Sequence, residues 1–257
     1  MANYDVIGNI AIVKFDRKIK SNAKKKFALK FLKENRNVRT VLEKIGKFSG
    51  RLRKQKTKYL AGENNKEALY KENNCLFRLN VDSCYFSPRL ASERKEIALM
   101  CRKNESVLVL FGGVAPFAIA IAKLSKVKKV ISLELSRECS KYASINVKSN
   151  KVSDRVEIVQ GDVKKKLKFM KEKFDRIVMP RPNLEDSFLN YAFPRIMIGG
   201  IIHYYGFYFE GEEEKLKELI NNEAKRNGKK IKILKIKKAG DIGKRKFRYR
   251  VDFKVLN

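Results

Sequence analysis

The sequence is poor in residues that several classes of protein need. It has one histidine, His203, and four cysteines, Cys75, Cys84, Cys101 and Cys139, none of them in a CxxC pair. No usual zinc-ligand spacing can be assembled from these, so no metal site is expected, and the cysteines read as reduced core residues. No apolar run approaches the ~20 residues of a membrane-spanning helix. The opening MANYDVIGNI lacks the basic-then-apolar order of a secretory signal, and these absences together point to a soluble cytoplasmic protein. Internal repeats, heptad runs and low-complexity linkers are also missing, which removes solenoids and coiled coils from consideration.

Negative charge is scarce as well. Only 28 Asp and Glu stand against 60 Lys and Arg, a formal net charge of +32, and the isoelectric point is near 10.0. A lysine-rich proteome would raise Lys and Glu together; here the acids lag far behind. Such an excess repels itself unless a polyanion lies nearby, so a nucleic-acid partner is expected. It is densest at the two ends, where residues 1–60 carry eighteen Lys/Arg against four acids and residues 225–257 carry fourteen against two.

What is present suits a folded enzyme. With 257 residues, 44% of them hydrophobic, the chain can bury a real core as one large or two modest domains. Its organising stretch is SVLVLFGGVAPF, residues 106–117, followed at once by the helix-compatible AIAIAKL. This reads as a buried strand, a tight turn and a helix N-terminus, the unit that holds nucleotide-like ligands at the edge of a doubly wound sheet. Gly112 and Gly113 would let a ligand approach the backbone. The stretch is not a GxGxxG, and alone it is also compatible with a purely structural turn.

The remaining elements follow in order. Residues 4–15 predict a hairpin about Gly8-Asn9, 21–35 a basic helix with one apolar side, 38–46 a strand, 60–63 a turn and 75–81 a further strand. In the basic stretch 50–58, Arg53 reads as a phosphate contact, although an arginine fork also suits a base edge. In YFSPRLASER, Ser87-Pro88 predicts a capped helix start with Glu93 in its early turns, a connecting helix or part of a site. Strands at 127–133, 155–159, 174–179 and 201–207 then alternate with helices at 139–150, 183–193 and 211–227, with a turn at Gly199-Gly200. A terminal hairpin joins 231–236 to 247–255 through residues 239–241. Glu134, at a strand end, can accept from ribose hydroxyls or be an ordinary strand-end acid. Asp162 can accept from an adenine amino group or cap the segment after it. Pro180-Arg181-Pro182 makes a stiff rim at the sheet's carboxyl edge, or simply ends a strand.

The order of a small basic module, YFSPRLASER, FGGVAPF, an acid at 134, Gly161-Asp162, MPRP and GGIIHYYGF resembles the archaeal and eukaryotic tRNA guanosine-37 N1-methyltransferases, over residues 4–209. The resemblance implies an α/β fold in which a Rossmann-like class I methyltransferase domain, 84–257, follows a small basic α/β RNA-binding module, 1–83. It implies S-adenosylmethionine as cofactor, the anticodon stem-loop of tRNA as partner, and a monomer needing neither metal nor membrane. The implied reaction is methyl transfer to N1 of guanosine 37. A related family, which transfers the aminocarboxypropyl group of the same cofactor to a wybutosine precursor at that position, is the runner-up. By position, Glu93 falls on the family's general base, Arg94 beside the target nucleotide, Arg53 on an arginine that holds guanine O6, and Pro180, Arg181 and Pro182 on the strand-four motif. Tyr85, Phe86, Arg89, Phe111, Gly112, Gly113, Pro116, Phe117, Glu134, Leu135, Asp162 and Val163 fall on cofactor-binding positions, with Tyr85 also near the target base. Three positions depart from the pattern: Val109 stands where Asp is common, Ala115 where glycine is common, and Pro-Arg-Pro where Asn-Leu-Pro is frequent. The sequence also starts at the small module, without the extra N-terminal domain that many family members carry.

Overall fold

The computed structural model describes residues 3–257, the side chains of 47–49 excepted. The first strands, β1 (Asn3–Ile7) and β2 (Ile10–Lys14), form the expected hairpin. Helix α1 (Ser21–Glu34) crosses over to β3 (Thr40–Ser49), which pairs parallel to β2 and antiparallel to β4 (Lys54–Gly62). The turn expected at 60–63 lies largely inside β4: Ala61 and Gly62 pair with Val41 and Thr40. A second hairpin, β5 (Glu67–Glu72) and β6 (Cys75–Asn80), follows. Gly8, at the first hairpin's turn, has φ +58, and a Cβ there would lie 1.8 Å from the Leu69 carbonyl oxygen. Only glycine lets the first hairpin close onto the second.

The chain then builds α2 (Ala91–Met100), β7 (Ser106–Leu110), α3 (Pro116–Leu124), β8 (Lys129–Glu134), α4 (Arg137–Ser149), β9 (Val156–Gln160), α5 (Val163–Phe169) and β10 (Phe174–Met179). It ends with α6 (Leu189–Ala192), β11 (Ile196–Phe209), α7 (Glu213–Arg226), β12 (Ile231–Gly243) and β13 (Lys246–Val255). The central sheet has the order β12-β13-β11-β10-β7-β8-β9. Strands β7 to β11 are mutually parallel, and β13 inserts antiparallel between β11 and β12. Their near-continuous apolar runs reflect burial on both faces. Val107, Val109 and Val130 face α2, α3 and α4, whereas the alternate residues Leu108, Leu110 and Ile131 face α5, α6 and α7. The strand order reverses at β7, between β10 and β8, and ligands of such sheets bind outside the carboxyl ends at that switch point.

The second hairpin is fastened to this sheet's helical layer rather than to the first strands alone. On α4, Asn146 and Asn150, one turn apart, hydrogen-bond the exposed edge of β6. Asn146 Oδ1 accepts from the Arg78 amide at 2.7 Å and its Nδ2 donates to the Arg78 carbonyl at 3.0 Å; Asn150 does the same for Leu76 at 2.9 and 2.7 Å. Two side-chain amides thus stand in for a neighbouring strand. Among the described residues no helix is long and apolar enough to cross a membrane.

Several elements differ from expectation for identifiable reasons. The helix expected over 183–193 shrinks to α6, because the carbonyls of Leu184 and Asp186 turn inward to the Arg181 guanidinium instead of forming a helical ladder. Gly199-Gly200 is no turn but an irregularity inside β11, where the register against β10 slips. The last hairpin turns after Gly243, and residues 239–241 remain in β12 despite two bulges. Cys84 and Cys139, expected to be reduced, form a disulfide with Cα atoms 5.5 Å apart, within ordinary disulfide reach, and Cys75 and Cys101 are free.

Candidate active site

The carboxyl ends of β7, β8, β9 and β10 open into a cleft of about 950 Å³ including its mouth. Its floor is the turn after β7. Phe111 and Ala115 both take left-handed φ, +58 and +65, a conformation that costs an L-residue about 1–2 kcal/mol. The surroundings hold it: the Gly112 amide donates to the Leu133 carbonyl at 2.9 Å, and the Gly113 amide donates to Glu134 Oε2 at 2.8 Å. A Cβ on Gly112 would fall 2.1 Å from Ser132 Oγ, so the close approach of β7 and β8 here needs glycine. Ala115 thus takes a left-handed conformation without being glycine.

Two acids mark the cleft. Glu134 accepts from the amides of Gly113 and, at 2.7 Å, Ser136. Burial raises its pKa, against the pull of these amides. Asp162 caps α5 by accepting from the Lys164 amide at 2.8 Å, the capping alternative of the sequence reading, and it also pairs with Arg51 at 2.6 Å. Arg51 comes from the turn between β3 and β4, 111 residues away. That turn also brings Leu52 and Arg53 to the cleft. Arg53 has φ +49, and its guanidinium lies 4.5 Å from the centre of the Tyr85 ring. Apolar walls come from Leu135, Val163, Leu184 and Phe188, with Phe111 edge-on to Phe188 at 5.0 Å.

A larger groove adjoins the cleft. Arg53, Tyr85, Leu90, Phe207 and Arg248 line both, and Phe86 and Arg89 line the groove alone, Arg89 paired with Asp5 at 2.6 Å. The structure therefore brings Arg53, Tyr85, Phe111, Gly113, Glu134, Leu135, Asp162, Val163, Pro180, Arg181 and Pro182 together at the cleft. Arg181 is buried and spends its guanidinium on its own loop, donating to the Asp186 carbonyl at 2.7 Å and to that of Leu184. Gly112 and Pro116 shape the turn without lining the cleft, and Phe117 is core, 6.0 Å from the Tyr205 ring.

Glu93 and Arg94, expected at the target nucleotide, line neither the cleft nor the groove. Both lie on the inward face of α2, one turn before Ile97 and Ala98, which are also buried. Arg94 is 1% exposed and makes a two-pronged pair with Glu72 on β5. Glu93 is 4% exposed: it accepts from Arg250 Nη1 at 2.7 Å and the Tyr205 hydroxyl at 3.1 Å, and it pairs with Lys237. The network runs on through the sheet. Arg250 also meets Glu96 at 2.6 Å and Asp252 at 2.9 Å; His203 donates from Nδ1 to Asp252 at 2.6 Å and accepts at Nε2 from Arg176 at 2.7 Å. Burial pushes the His203 pKa down, against the pull of Asp252, in keeping with a neutral ring. With its oxygens already engaged, Glu93 sits in a structural ion-pair network.

Arg51, Leu52, Leu90, Cys139, Phe188, Phe207 and Arg248 also line the cleft and were not expected from the sequence. Arg51 lies within the basic stretch already noted, but Arg248 becomes visible only through the register that sets it opposite Phe207.

The parallel sheet with its inserted antiparallel β13, the strained turn after β7 and an acid at the end of β8 together define a class I methyltransferase. The residues fit that class's cofactor, S-adenosylmethionine: Glu134 and Asp162 offer acceptors at successive strand ends, and Leu135, Val163 and Phe188 give the cleft apolar lining. Comparison with known proteins agrees. Residues 68–234 match the TRM5/TYW2 methyltransferase domain and residues 1–65 the TYW2 N-terminal domain, and the chain belongs to the TRM5/TYW2 methyltransferase family. It is 35% identical to tRNA (guanine(37)-N(1))-methyltransferase Trm5b of Pyrococcus abyssi, over 98% of this chain and 74% of that one. It is 33% identical to tRNA (guanine(37)-N(1))/4-demethylwyosine(37)-methyltransferase Taw22 of Nanoarchaeum equitans, over 99% of this chain and 100% of that one. The crystal structure of Pyrococcus abyssi Trm5b superposes with a TM-score of 0.89, covering 99% of this chain and 75% of that one at 34% identity. The chain is thus an enzyme of tRNA modification.

Proposed function

We propose that the protein transfers a methyl group from S-adenosylmethionine to N1 of guanosine 37 in the anticodon loop of tRNA, acting as a monomer, with residues 1–83 as its RNA-binding module. The observation that carries this reading is the doorway between the two cavities: Arg53, Tyr85 and Arg248 stand where a cofactor cleft opens into a groove, beneath a module of dense positive charge. Its similarity to the Pyrococcus Trm5b supports the choice of base.

The residues suit the chemistry. The cofactor supplies an electrophilic methyl group. Glu134 and Asp162 would hold its polar groups at the strand ends, with Pro180 and Pro182 as a stiff rim beside it. A base from an anticodon loop can be splayed out at little cost, and aromatic side chains such as Tyr85 and Phe207 give it a surface to lie against. Guanine N1 carries a proton at neutral pH, and negative charge gathers on O6 as that proton leaves. A guanidinium at O6 stabilises that charge, typically by about 3–4 kcal/mol per well-placed donor; we assign this role to Arg53, which lines both cavities.

One observation favours a second reading. The first 65 residues match the N-terminal domain of TYW2, and a tRNA(Phe) (4-demethylwyosine(37)-C(7)) aminocarboxypropyltransferase of Methanocaldococcus jannaschii is 28% identical over 91% of this chain. Transfer of the aminocarboxypropyl group at the same tRNA position, or methylation of a wyosine precursor there, is therefore the alternative. The test is incubation of unmodified tRNA bearing guanosine 37 with enzyme and S-adenosylmethionine, then nuclease digestion and mass spectrometry. One methyl at N1 is the expected product; no product there, with an aminocarboxypropyl adduct on tRNA carrying the tricyclic precursor, would replace this reading by the second.

A further inference from the structure

We propose that Arg248 is a catalytic residue, a second guanidinium beside Tyr85 that takes up the negative charge of the deprotonated target base. The proposal rests on the guanine reading above.

Three features of Arg248 carry it. First, its position: β13 sets it opposite Phe207, over whose ring its guanidinium lies at 5.3 Å, and it lines both the cofactor cleft and the adjoining groove. Second, its neighbours: Nη2 lies 3.4 Å from the Tyr85 hydroxyl, and Arg53 lies against the same ring, so two guanidinium groups converge on one phenol. Burial alone would raise the Tyr85 pKa, but Arg248 and Arg53 outweigh it and hold the phenol below its ordinary value, which reports the positive potential at this spot. Third, its missing counter-charge. The other arginines of the same strand are paired, Arg250 with Glu93, Glu96 and Asp252, and Arg245, just before it, with Glu210. Among the described residues Arg248 has no carboxylate within ion-pair distance, although it is only partly exposed. A half-buried cation with a phenol and a ring beside it but no carboxylate, at a cavity junction, is arranged for charge that arrives with a substrate.

The charged groups facing the junction sum to the same sign. Arg53 and Lys44 come from β3 and the turn after it, Arg181 from the end of β10, and Asp241 from β12; Asp5 and Arg89 cancel each other, and Glu134 and the Asp162–Arg51 pair lie on the cofactor side. This field favours loss of the N1 proton to water through the groove. The N1 electron pair then forms the bond to the methyl carbon, and the pair of the broken carbon–sulfur bond stays on the cofactor's sulfur, which becomes neutral.

The test is the single-turnover rate on guanosine-37 tRNA from about pH 6 to pH 9.5 for wild type, R248A, R248Q and R248K, alongside melting temperature and direct binding of cofactor and of tRNA. Removing a cation beside the base raises the apparent pKa of the rising limb by about one unit, and each unit is tenfold in rate at neutral pH. R248A and R248Q are expected to lose about ten- to hundredfold near pH 7 and to recover part of it at high pH, while R248K, which keeps the charge, loses less. Cofactor and tRNA affinities are expected to stay within about threefold, so that a general loss of structure is recognised as such. A rate for R248A or R248Q within threefold of wild type, or a deficit equal at every pH, overturns the assignment of Arg248 alone. A wild-type enzyme that places no methyl on guanosine 37 overturns the guanine reading first and this inference with it.

Discussion

The replacement Glu93→Gln separates two roles that one residue cannot easily hold together. If Glu93 were the reacting base, the change would abolish turnover and leave the fold intact. The structure points the other way. The Glu93 carboxylate is 4% exposed, Arg250 is fully buried, and Tyr205 and Lys237 complete the shell. Taking one partner from a buried ion pair costs about 3–5 kcal/mol because the remaining charge stays desolvated. Arg250 retains Glu96 and Asp252, so the low end, about 3 kcal/mol, is the better figure. For a chain of this size each kcal/mol is worth about 2 °C, so the melting temperature of the variant is expected to fall by about 6 °C. Thermal unfolding by circular dichroism gives the first quantity, and methyl transfer measured at least about 15 °C below the variant's midpoint gives the second, expected to keep most of its rate. A variant that melts within about 1 °C of wild type yet has lost activity more than about a hundredfold would refute the structural role and return Glu93 to the reaction.

Three further outcomes test other parts of the molecule. Gly112→Ala puts a methyl 2.1 Å from Ser132 Oγ but 3.5 Å from Ser132 Cβ; it is expected to destabilise by about 1–3 kcal/mol, and Ser132→Ala in the same chain to restore most of that in a denaturant titration. Thiol counting on the unfolded chain without reductant is expected to find Cys75 and Cys101 only, and four thiols after reduction; the 55-residue separation of Cys84 and Cys139 gives a stabilisation of about 4 kcal/mol by chain entropy, visible as a lower melting temperature in reductant. Glu96, hydrogen-bonded by Arg250 and Lys237, has its pKa drawn from 4.5 to about 2. A depressed carboxylate stabilises above its unfolded pKa and loses that contribution as pH falls, so Glu96→Gln is expected to flatten the stability curve between about pH 4.5 and pH 2, and an unchanged acid limb would remove Glu96 from the account.

Much of the fold was written in local pattern. The parallel strands are short apolar runs closed by glycine, acid or proline, and burial on both faces leaves the sequence little freedom to look otherwise. The same holds for the cleft's floor and for Glu134 and Asp162, whose places follow from strand ends. What escaped depends on distant partners. Strand β5, EALYKE, alternates too weakly to announce itself, and its hairpin is held by Asn146 and Asn150 from far along the chain. The Cys84–Cys139 bond spans 55 residues with no local spacing to signal it. Arg248 needed the β11–β13 register, and Arg51 needed the fold of a turn over another unit. Glu93 and Arg94 are a different case. Their motif suggested chemistry, and their burial was legible too, since the 3.6-residue period sets them on the face of α2 shared with Ile97 and Ala98.

The placement of β13 bears on how the molecule is made. This strand enters an interior slot, between β11 and β12, although both precede it in the chain. Until it emerges from the ribosome, β11 presents an open row of backbone donors and acceptors, and Glu93 and Glu96 lack the arginine they share. A nascent chain that has reached β12 therefore holds the whole parallel half of the sheet but not its closing strand, and neither the ion-pair network nor the Arg248 side of the doorway exists yet. All the other residues lining the cleft precede β13 in the chain, so a partly made chain has nearly all of the cofactor side before Arg248 joins it at the junction with the groove.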